Sequence, residues 1–566
     1  MSVRQTALEQ LHTDVLVIGA GPVGLALAGD LGWRGHRVML IDKGDGAIHQ
    51  PKMDLVGIRT MEFCRRWGIV DAVESSEYDR EYPQDNVYLT TLQGYELGRQ
   101  VMPSMRQEQA PPESPQKRER CPQNMFDPIL RRFAESQAGV KLQYHTEYDS
   151  FVQTAEGVSA IVKDVQSGLS QEIHARFLVG CDGAKSRVRA QLNIGMNGKG
   201  LLSYTTNVIF RCSNFNQLHN KSPGYRYMFV GPHGTWATIV AINGKDQWRM
   251  SIIGNAQDKR HYVEDELRAF AYQALGQEFE MEILSVLPWQ RAELVADKYG
   301  DGRVFICGDA CHLTSPTGGL GMNTGIGDAV DLSWKLSAHL EGWGGPLLLD
   351  SYGIERRPIA IRITRFSTSN LETMKQVPSS SKIAEDSIEG EAVRLRVGHA
   401  MSEGLKKEWF SINMHLGNRY VGSPINLDTE PQDELQLVNE FNDAVHYRPS
   451  TRVGCRAPHV WLDKGLSSLD CFGRGFVLVS AGTEKNQNVE ILAAEMGIPL
   501  KSVYFETPEA QKLYEKKYVL VRPDGHVAWR GEFIPNDFKQ LLQFVSGHGN
   551  ATDIALNTIN IMQDIQ

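Results

Sequence analysis

Residues 13–42 restrict the fold of this chain more than any other segment. Asp14-Val-Leu-Val-Ile is a short apolar run of the kind a buried parallel strand uses. Gly19-Ala-Gly21-Pro22-Val-Gly24 follows at once, residues 25–35 read as a helix, and His36-Arg-Val-Met-Leu-Ile is a second strand closed by Asp42. That order is a βαβ unit with G-x-G-x-x-G at the strand-to-helix turn. Gly19 permits the turn, Gly21 lets a pyrophosphate approach the backbone, and Gly24 allows close helix–strand packing. Asp42 stands about 20 residues on, where a carboxylate accepts hydrogen bonds from a ribose hydroxyl. The apolar run of residues 15–33 contains Asp30 and several glycines and lacks a small-residue cleavage site after a basic lead. A strand and helix explain it better than a leader or an anchor.

A second segment, residues 302–323, reads as strand, turn and helix start. Val304 to Cys307 is apolar, Gly308 and Asp309 end the run, and Pro316, Gly318, Gly319 and Gly321 form a loop nearly free of side chains. Backbone in such a loop can lie directly against a ligand. Its N–H groups, at the start of a helix over residues 326–336, suit an anion or an electron-rich ring edge. A structural glycine turn explains the same letters. A third turn, Asp182-Gly183, closes the strand 175–181 and opens a helix with Ser186 and Arg187 in its first turn. At the C-terminal end of a parallel strand it lies where open α/β sheets bind ligands.

The remaining segments are less specific. Lys52 and Arg59 are cations placed to reach a pyrophosphate. His49 and Asp54 are ionisable groups in the same loop, equally readable as surface charge. Gln123 precedes a helix expected over residues 128–136, and reads as a solvated loop residue or as a partner for a cofactor ring. Residues 201–253 alternate like an antiparallel meander, with turns at Pro232-His-Gly and Asn243-Gly-Lys. Met228, Trp236, Trp248 and Met250 are available to line a pocket or to fill a core. A linker is expected near residues 422–436. From Tyr447 onward, strand, helix, hairpin and helix follow in the order of a thioredoxin-like unit without a C-x-x-C pair, so redox chemistry is not expected there.

At 566 residues the chain has room for roughly three or four domains of ~150 residues. A net charge of −9 and the lack of a dense Lys/Arg tract argue against nucleic acid as a partner. The eight cysteines are scattered, which reads as reduced core thiols rather than a disulfide framework, and no metal site is expected.

Three separated pieces agree: G-x-G-x-x-G at residues 19–24, Asp182-Gly183, and Gly308-Asp309 followed by Pro-Thr-Gly-Gly-Leu-Gly-Met-Asn. Together they resemble the single-component FAD-dependent aromatic hydroxylases, the para-hydroxybenzoate hydroxylase superfamily, and within it the phenol hydroxylase branch with its extra thioredoxin-like C-terminal domain. The resemblance implies an α/β protein: a Rossmann-like FAD-binding domain (1–195, with inserted strands about 80–120) interleaved with a β-sheet substrate domain (196–290), completed over 291–430, and a C-terminal unit over 445–566. It implies that Gly19, Gly21, Pro22, Gly24 and Asp42 hold the ADP half of FAD. Lys52, Gln123, Asp182, Gly183, Arg187, Asp309, Gly319, Gly321, Met322 and Asn323 complete the cofactor set. Lys52 stands where the family usually has arginine, and Asp42 where it usually has glutamate. NADPH or NADH would dock transiently, since no second dinucleotide motif is present. The implied reaction is hydroxylation of a phenolic ring by dioxygen through a flavin hydroperoxide. His49 or Asp54 would serve as a base tuned toward neutral pH, Arg249 or Arg226 would hold the phenolate, and Pro316 would lie beside the reacting centre. Alternatives are a monooxygenase of a larger polyketide or antibiotic-type substrate, and a flavin-binding protein without turnover. The resemblance also implies a homodimer; the scattered cysteines and the short apolar runs outside residues 15–33 lead to the expectation of a cytoplasmic protein with no membrane partner.

Overall fold

The computed structural model describes residues 11–48, 50–257, 259–428, 430, 433–482 and 486–549. His49 lies outside the described residues. The βαβ unit forms as expected. Strand Leu11–Ile18 pairs in parallel with Val38–Ile41 on one side and with Ser170–Gly180 on the other. Val304–Ile306 and Val140–Gln143 extend the parallel run at its two ends. Helix Pro22–Trp33 packs on this sheet with Pro22 at its first position, where a missing N–H costs nothing. All four residues of Val38–Ile41 are buried, as a parallel strand covered on both faces requires. Asp30 explains why this helix is no membrane span: its buried carboxylate accepts from Arg34 Nε at 2.9 Å, from Trp67 Nε1 at 2.7 Å and from the Ser333 hydroxyl. Among the described residues no helix is long and apolar enough to cross a membrane.

The second sheet has eight strands, in the order His312–Leu313, Glu282–Ala296, Met196–Arg211, Gln247–Ile253, Gly234–Ala241, Arg226–Gly231, Asn86–Leu89 and Glu96–Gln100. The strands from the inserted region thus join this sheet, Asn86–Leu89 pairing in parallel with Arg226–Gly231. Strand alternation gives the sheet two different faces. Val208, Phe210, Ile239, Trp248, Met250 and Ile252 point to one side and pack under helix Glu264–Leu275. Trp248 and Met250 are therefore core residues and do not line a pocket. Thr205, Asn207, Val240, Arg249, Ser251, Leu287, Trp289 and Arg291 line a cavity on the other side.

The C-terminal unit is a four-stranded sheet, Leu500–Phe505, Phe476–Ala481, Tyr518–Val521 and Val527–Gly531, with one parallel and two antiparallel pairings. It docks through charge as well as apolar contact. Arg522 is fully buried and donates to Glu355 at 2.5 and 2.8 Å, to Asp331 at 3.1 Å and to Asp524 at 2.7 Å. Glu355 and Asp331 belong to the long helices Pro346–Lys375 and Gly321–Glu341.

Helix limits differ from the expectation in two informative places. Helix Gly321–Glu341 begins at the last glycine of the loop, five residues earlier than periodicity predicts, because Gly321, Asn323 and Thr324 give its first turn no apolar stripe to show a period. Helix Gln123–Glu135 begins at Gln123 and carries Pro128 inside it. Pro128 is the sixth helical residue, so its ring forgoes one intrahelical bond, to the Asn124 carbonyl, within an otherwise continuous helix.

Candidate active site

Gly19 adopts φ +106°, and a Cβ there would lie 2.5 Å from the carbonyl oxygen of Cys181. At Gly24 it would lie 2.0 Å from the Gly19 carbonyl oxygen. Gly21 is different: nothing lies within 4 Å of the place its Cβ would take, so its backbone faces open space at the start of helix Pro22–Trp33. Asp42 accepts from Ala20 N and Gly44 N, both at 2.7 Å, which fixes its carboxylate across the same turn. Gly183 also faces open space, at φ +78°. Asp182 caps the next helix, accepting from Arg187 N at 2.7 Å and Val188 N at 3.2 Å, while its second oxygen is buried without a partner. Arg187 reaches Glu147 at 3.1 Å. Asp309 is exposed in the turn Gly308–Ala310.

The loop that begins at Pro316 is tied down by Asn323. Its side-chain oxygen accepts from Gly57 N at 2.8 Å and Thr60 Oγ1 at 2.7 Å, and its nitrogen donates to Leu55 O at 3.1 Å and Gly319 O at 2.7 Å. The amide's donors and acceptors are then all engaged. The Asn323 side chain is thus no ligand to a cofactor, contrary to expectation; it fixes the loop against the strand Leu55–Val56. The first-turn N–H groups of Gly321, Met322 and Asn323 precede any intrahelical partner and remain free to face an anion.

Gln123 is buried and bridges: its oxygen accepts from Lys52 N at 3.0 Å and its nitrogen donates to Asp127 at 3.0 Å. Lys52 itself is exposed and places its ammonium 5.7 Å from the centre of the Trp289 ring, at the cavity. Burial pushes the Asp127 carboxyl up to about 7, against the opposing pull of Gln123 and Lys52. In the unfolded chain this group ionises near pH 4, so the native state holds the extra proton between about pH 4 and 7. Stability attributable to Asp127 therefore falls as pH rises through that window and is constant above it. Asp127→Asn is expected to be more stable than the parent at pH 8 by ~1–3 kcal/mol, with the gap closing by pH 5, in thermal melts across pH.

A cavity of about 430 Å³ opens beside the Pro316–Gly319 backbone. Asp54 lies in its wall. The short pairing of Leu55–Val56 with Glu119–Arg120 brings Arg120 to it at 2.9 Å. Tyr225 Oη donates to the same carboxylate at 2.5 Å and Arg249 Nη2 at 3.3 Å. The Arg120 guanidinium also covers the Tyr225 ring at 3.6 Å. Burial disfavours the Asp54 anion, but Arg120, Arg249 and the Tyr225 hydroxyl outweigh it and hold the carboxyl below its ordinary range. Asp54 is therefore not the base tuned toward neutrality that its position in the sequence implies; it is a permanent anion that orients three donors. Arg226 donates to Glu408 at 3.0 Å, and the same Glu408 oxygen accepts from Gly318 N at 3.0 Å. Glu408 thus joins the cavity wall to the glycine loop. Tyr225, Arg120, Glu408 and Arg291 escaped the sequence reading, since each looks like an ordinary loop or surface residue until long-range pairing assembles them. The only signal was the Tyr-Arg pair opening a strand whose other neighbours were apolar.

A family model described as FAD binding domain matches residues 12–367, and one described as aromatic-ring hydroxylase, C-terminal, matches residues 450–547. The chain is 29% identical to a 2,4-dichlorophenol 6-monooxygenase of Delftia acidovorans, over 94% of this chain and 96% of that protein. It is 31% identical to the FAD-dependent monooxygenase apdD of Emericella nidulans, over 92% of this chain and 88% of that protein. The solved structure of RebC, soaked with chromopyrrolic acid and holding 7-carboxy-K252c, superposes with a TM-score of 0.88 at 35% identity, covering 96% of this chain and all of that one.

Proposed function

This chain belongs to the family of FAD-dependent aromatic-ring hydroxylases, and on that basis we propose that it uses NADPH or NADH to hydroxylate a phenolic ring held in the Asp54–Arg249 cavity. The residues fit FAD on three observations. Open space stands beside Gly21 and Gly183. One buried Asp182 oxygen lacks a partner. The first turn of helix Gly321–Glu341 has unspent N–H groups beside a loop without side chains. Gly19, Gly21, Pro22, Gly24 and Asp42 would hold the ADP half; Asp182, Gly183 and Asp309 the middle; Gly319, Gly321 and Met322 the ring edge. Asn323, Gln123 and Lys52 would fix the loops around it, with Arg187 following Asp182-Gly183 at the start of the next helix. FAD, when bound, takes electrons from the nicotinamide and delivers one oxygen atom of dioxygen to the substrate.

The observation that carries the reading is the Asp54–Tyr225–Arg249 cluster, set in a cavity that also includes Pro316. A ring hydroxyl entering there meets a fixed acceptor, Asp54, and a cation, Arg249. Arg249 stabilises the phenolate, whose proton is released to solvent as the ring binds; the ionised ring is the better nucleophile, and Asp54 orients the oxygen through Arg249 and Tyr225 without keeping the proton. The amides at Gly321 and Met322 favour negative charge at their end of the site. Trp409 and Phe410, which line the cavity, would help to exclude water from the oxygen transfer. At about 430 Å³ the cavity lies in the ~300–1,000 Å³ range that encloses drug-sized ligands. This favours a substrate of two or more fused rings over phenol itself.

Asp54→Asn tests the assignment. It is expected to lower kcat/KM for product formation about 100-fold while FAD content is unchanged. Because Asp54 is ionised throughout the working range, the acid limb of the pH profile is expected to be the same in parent and variant. A limb that disappears in Asp54→Asn would instead mark Asp54 as the titrating base.

A further inference from the structure

Gly318 and Gly319 both stand at positive φ, +92° and +65°. Neither has a side chain to hold the peptide between them, so the shape of the loop there depends on bonds made to its backbone. Side chains from two distant parts of the chain supply them. Asn323, from the helix that follows, donates to the Gly319 carbonyl at 2.7 Å. Glu408, 90 residues beyond Gly318 in the short helix Lys406–Trp409, accepts from Gly318 N at 3.0 Å. The same Glu408 oxygen accepts from Arg226 Nη1 at 3.0 Å, while the other is buried without a partner among the described residues. Arg226 in turn lies 5.3 Å from the centre of the Trp409 ring, and the Trp409 carbonyl accepts from Arg118 at 3.2 Å. Tyr225, one residue before Arg226, donates to Asp54 at 2.5 Å. Consecutive residues at the start of strand Arg226–Gly231 therefore reach two carboxylates. One lies in the wall where the ring hydroxyl is proposed to bind, and the other holds the glycine loop.

We propose that Glu408 is a positioning residue for the oxygen transfer: it sets the Gly318 peptide at a fixed offset from the Asp54 end of the cavity. This inference rests on the cavity being the substrate pocket and on FAD lying along the glycine loop, as proposed above. Glu408 touches neither ring nor cofactor in this account; it acts through Gly318 and Arg226. A paired strand is stiff, whereas two successive glycines at positive φ are not, and the Arg226–Glu408–Gly318 link ties the second to the first. The tie matters because a displacement of ~1 Å at a reacting centre costs on the order of 10²-fold in rate. The charge matters as well. Without Arg226, Glu408 would be an uncompensated buried anion and would not keep its place beside Gly318. With loop and ring out of register, the two electrons of NADPH leave on dioxygen as hydrogen peroxide, one proton coming from solvent, and the ring is released unchanged.

Three variants of the FAD-loaded enzyme separate this from a structural role. Glu408→Ala removes both bonds. Glu408→Gln keeps an acceptor for Gly318 N without the charge. Leu405→Ala truncates a fully buried apolar side chain just before the same helix, outside the cavity lining. The first readout needs no substrate: amide hydrogen exchange, followed by mass spectrometry on a peptide covering residues 314–320. The Gly318 amide is expected to exchange about 10-fold faster in Glu408→Ala and at the parent rate in Leu405→Ala. The second is hydroxylated product formed per NADPH consumed, with naphthols and dihydroxynaphthalenes as probes. Glu408→Ala is expected to lower that ratio about 10-fold, hydrogen peroxide making up the difference, with KM for the ring and FAD content unchanged. Glu408→Gln is expected to lie between Glu408→Ala and the parent. Leu405→Ala is expected to melt earlier with the ratio unchanged. Parent-like exchange or a parent-like ratio in Glu408→Ala, or an equal fall in Leu405→Ala, would overturn the inference and leave the pocket reading intact. If the parent hydroxylates none of the probes, the pocket reading fails, and this inference with it.

Discussion

Gly24→Ala is expected to purify colourless. The added methyl would lie 2.0 Å from the Gly19 carbonyl oxygen, which is backbone and cannot swing aside. Helix Pro22–Trp33 and the turn before it must separate, and the N–H groups proposed to face the pyrophosphate move with them. Loss of the register between strand, turn and helix is expected to weaken FAD binding by at least ~10³-fold and to destabilise the apoprotein by ~2–4 kcal/mol. Absorbance near the flavin bands after gel filtration, with a thermal melt, checks both. Gly21→Ala is the control. Its methyl meets nothing within 4 Å, so the apoprotein is expected to melt as the parent does, with cofactor affinity alone reduced. Equal loss of stability in the two variants would show that the turn is structural and not shaped for a ligand.

Arg522→Ala is expected to be the most damaging change outside the site. Arg522 is fully buried between the C-terminal unit and helices Gly321–Glu341 and Pro346–Lys375, facing Glu355, Asp331 and Asp524. Lys335, at 2.7 Å from Asp331 and 2.6 Å from Glu355, is the other cation of that cluster. Truncation leaves three buried carboxylates against one ammonium, an imbalance that costs ~3–5 kcal/mol. Chemical denaturation should read the loss directly, with the C-terminal sheet melting before the nucleotide-binding part. The arginine acts on docking and not on chemistry, so kcat of the FAD-loaded fraction is expected to be unchanged. A variant that melts with the parent would mean that apolar contact, such as Trp334 and Trp343 against Phe476, holds the units together without the charges.

The glycine turns proposed to hold the cofactor were legible because their backbone demands are local. Gly19, Gly21, Gly24 and Asp42 fall within one βαβ unit, and the glycines report backbone demands that no other residue type satisfies. The substrate half was legible only in part. Asp54 and Arg249 were found, but the character of Asp54 was not, since its acidity depends on Arg120, 66 residues away, and on Tyr225, 171 residues away. Asn323 shows the opposite failure. It sits at the end of a conspicuous motif, yet its side chain is spent on Gly57, Thr60, Leu55 and Gly319 and serves the loop. Trp248 and Met250 could have faced either side of their strand. The face was decided by helix Glu264–Leu275, whose placement no local pattern announces.

The most direct test of the account is isotopic. Purified FAD-loaded enzyme is supplied with NADPH, ¹⁸O₂ and a panel of fused-ring phenols, and the products are weighed by mass spectrometry. The account predicts a product heavier by one ¹⁸O atom, formed with NADPH consumption that the same compound stimulates. NADPH consumption that yields only hydrogen peroxide with every ring tested, or product oxygen drawn from water, would contradict it.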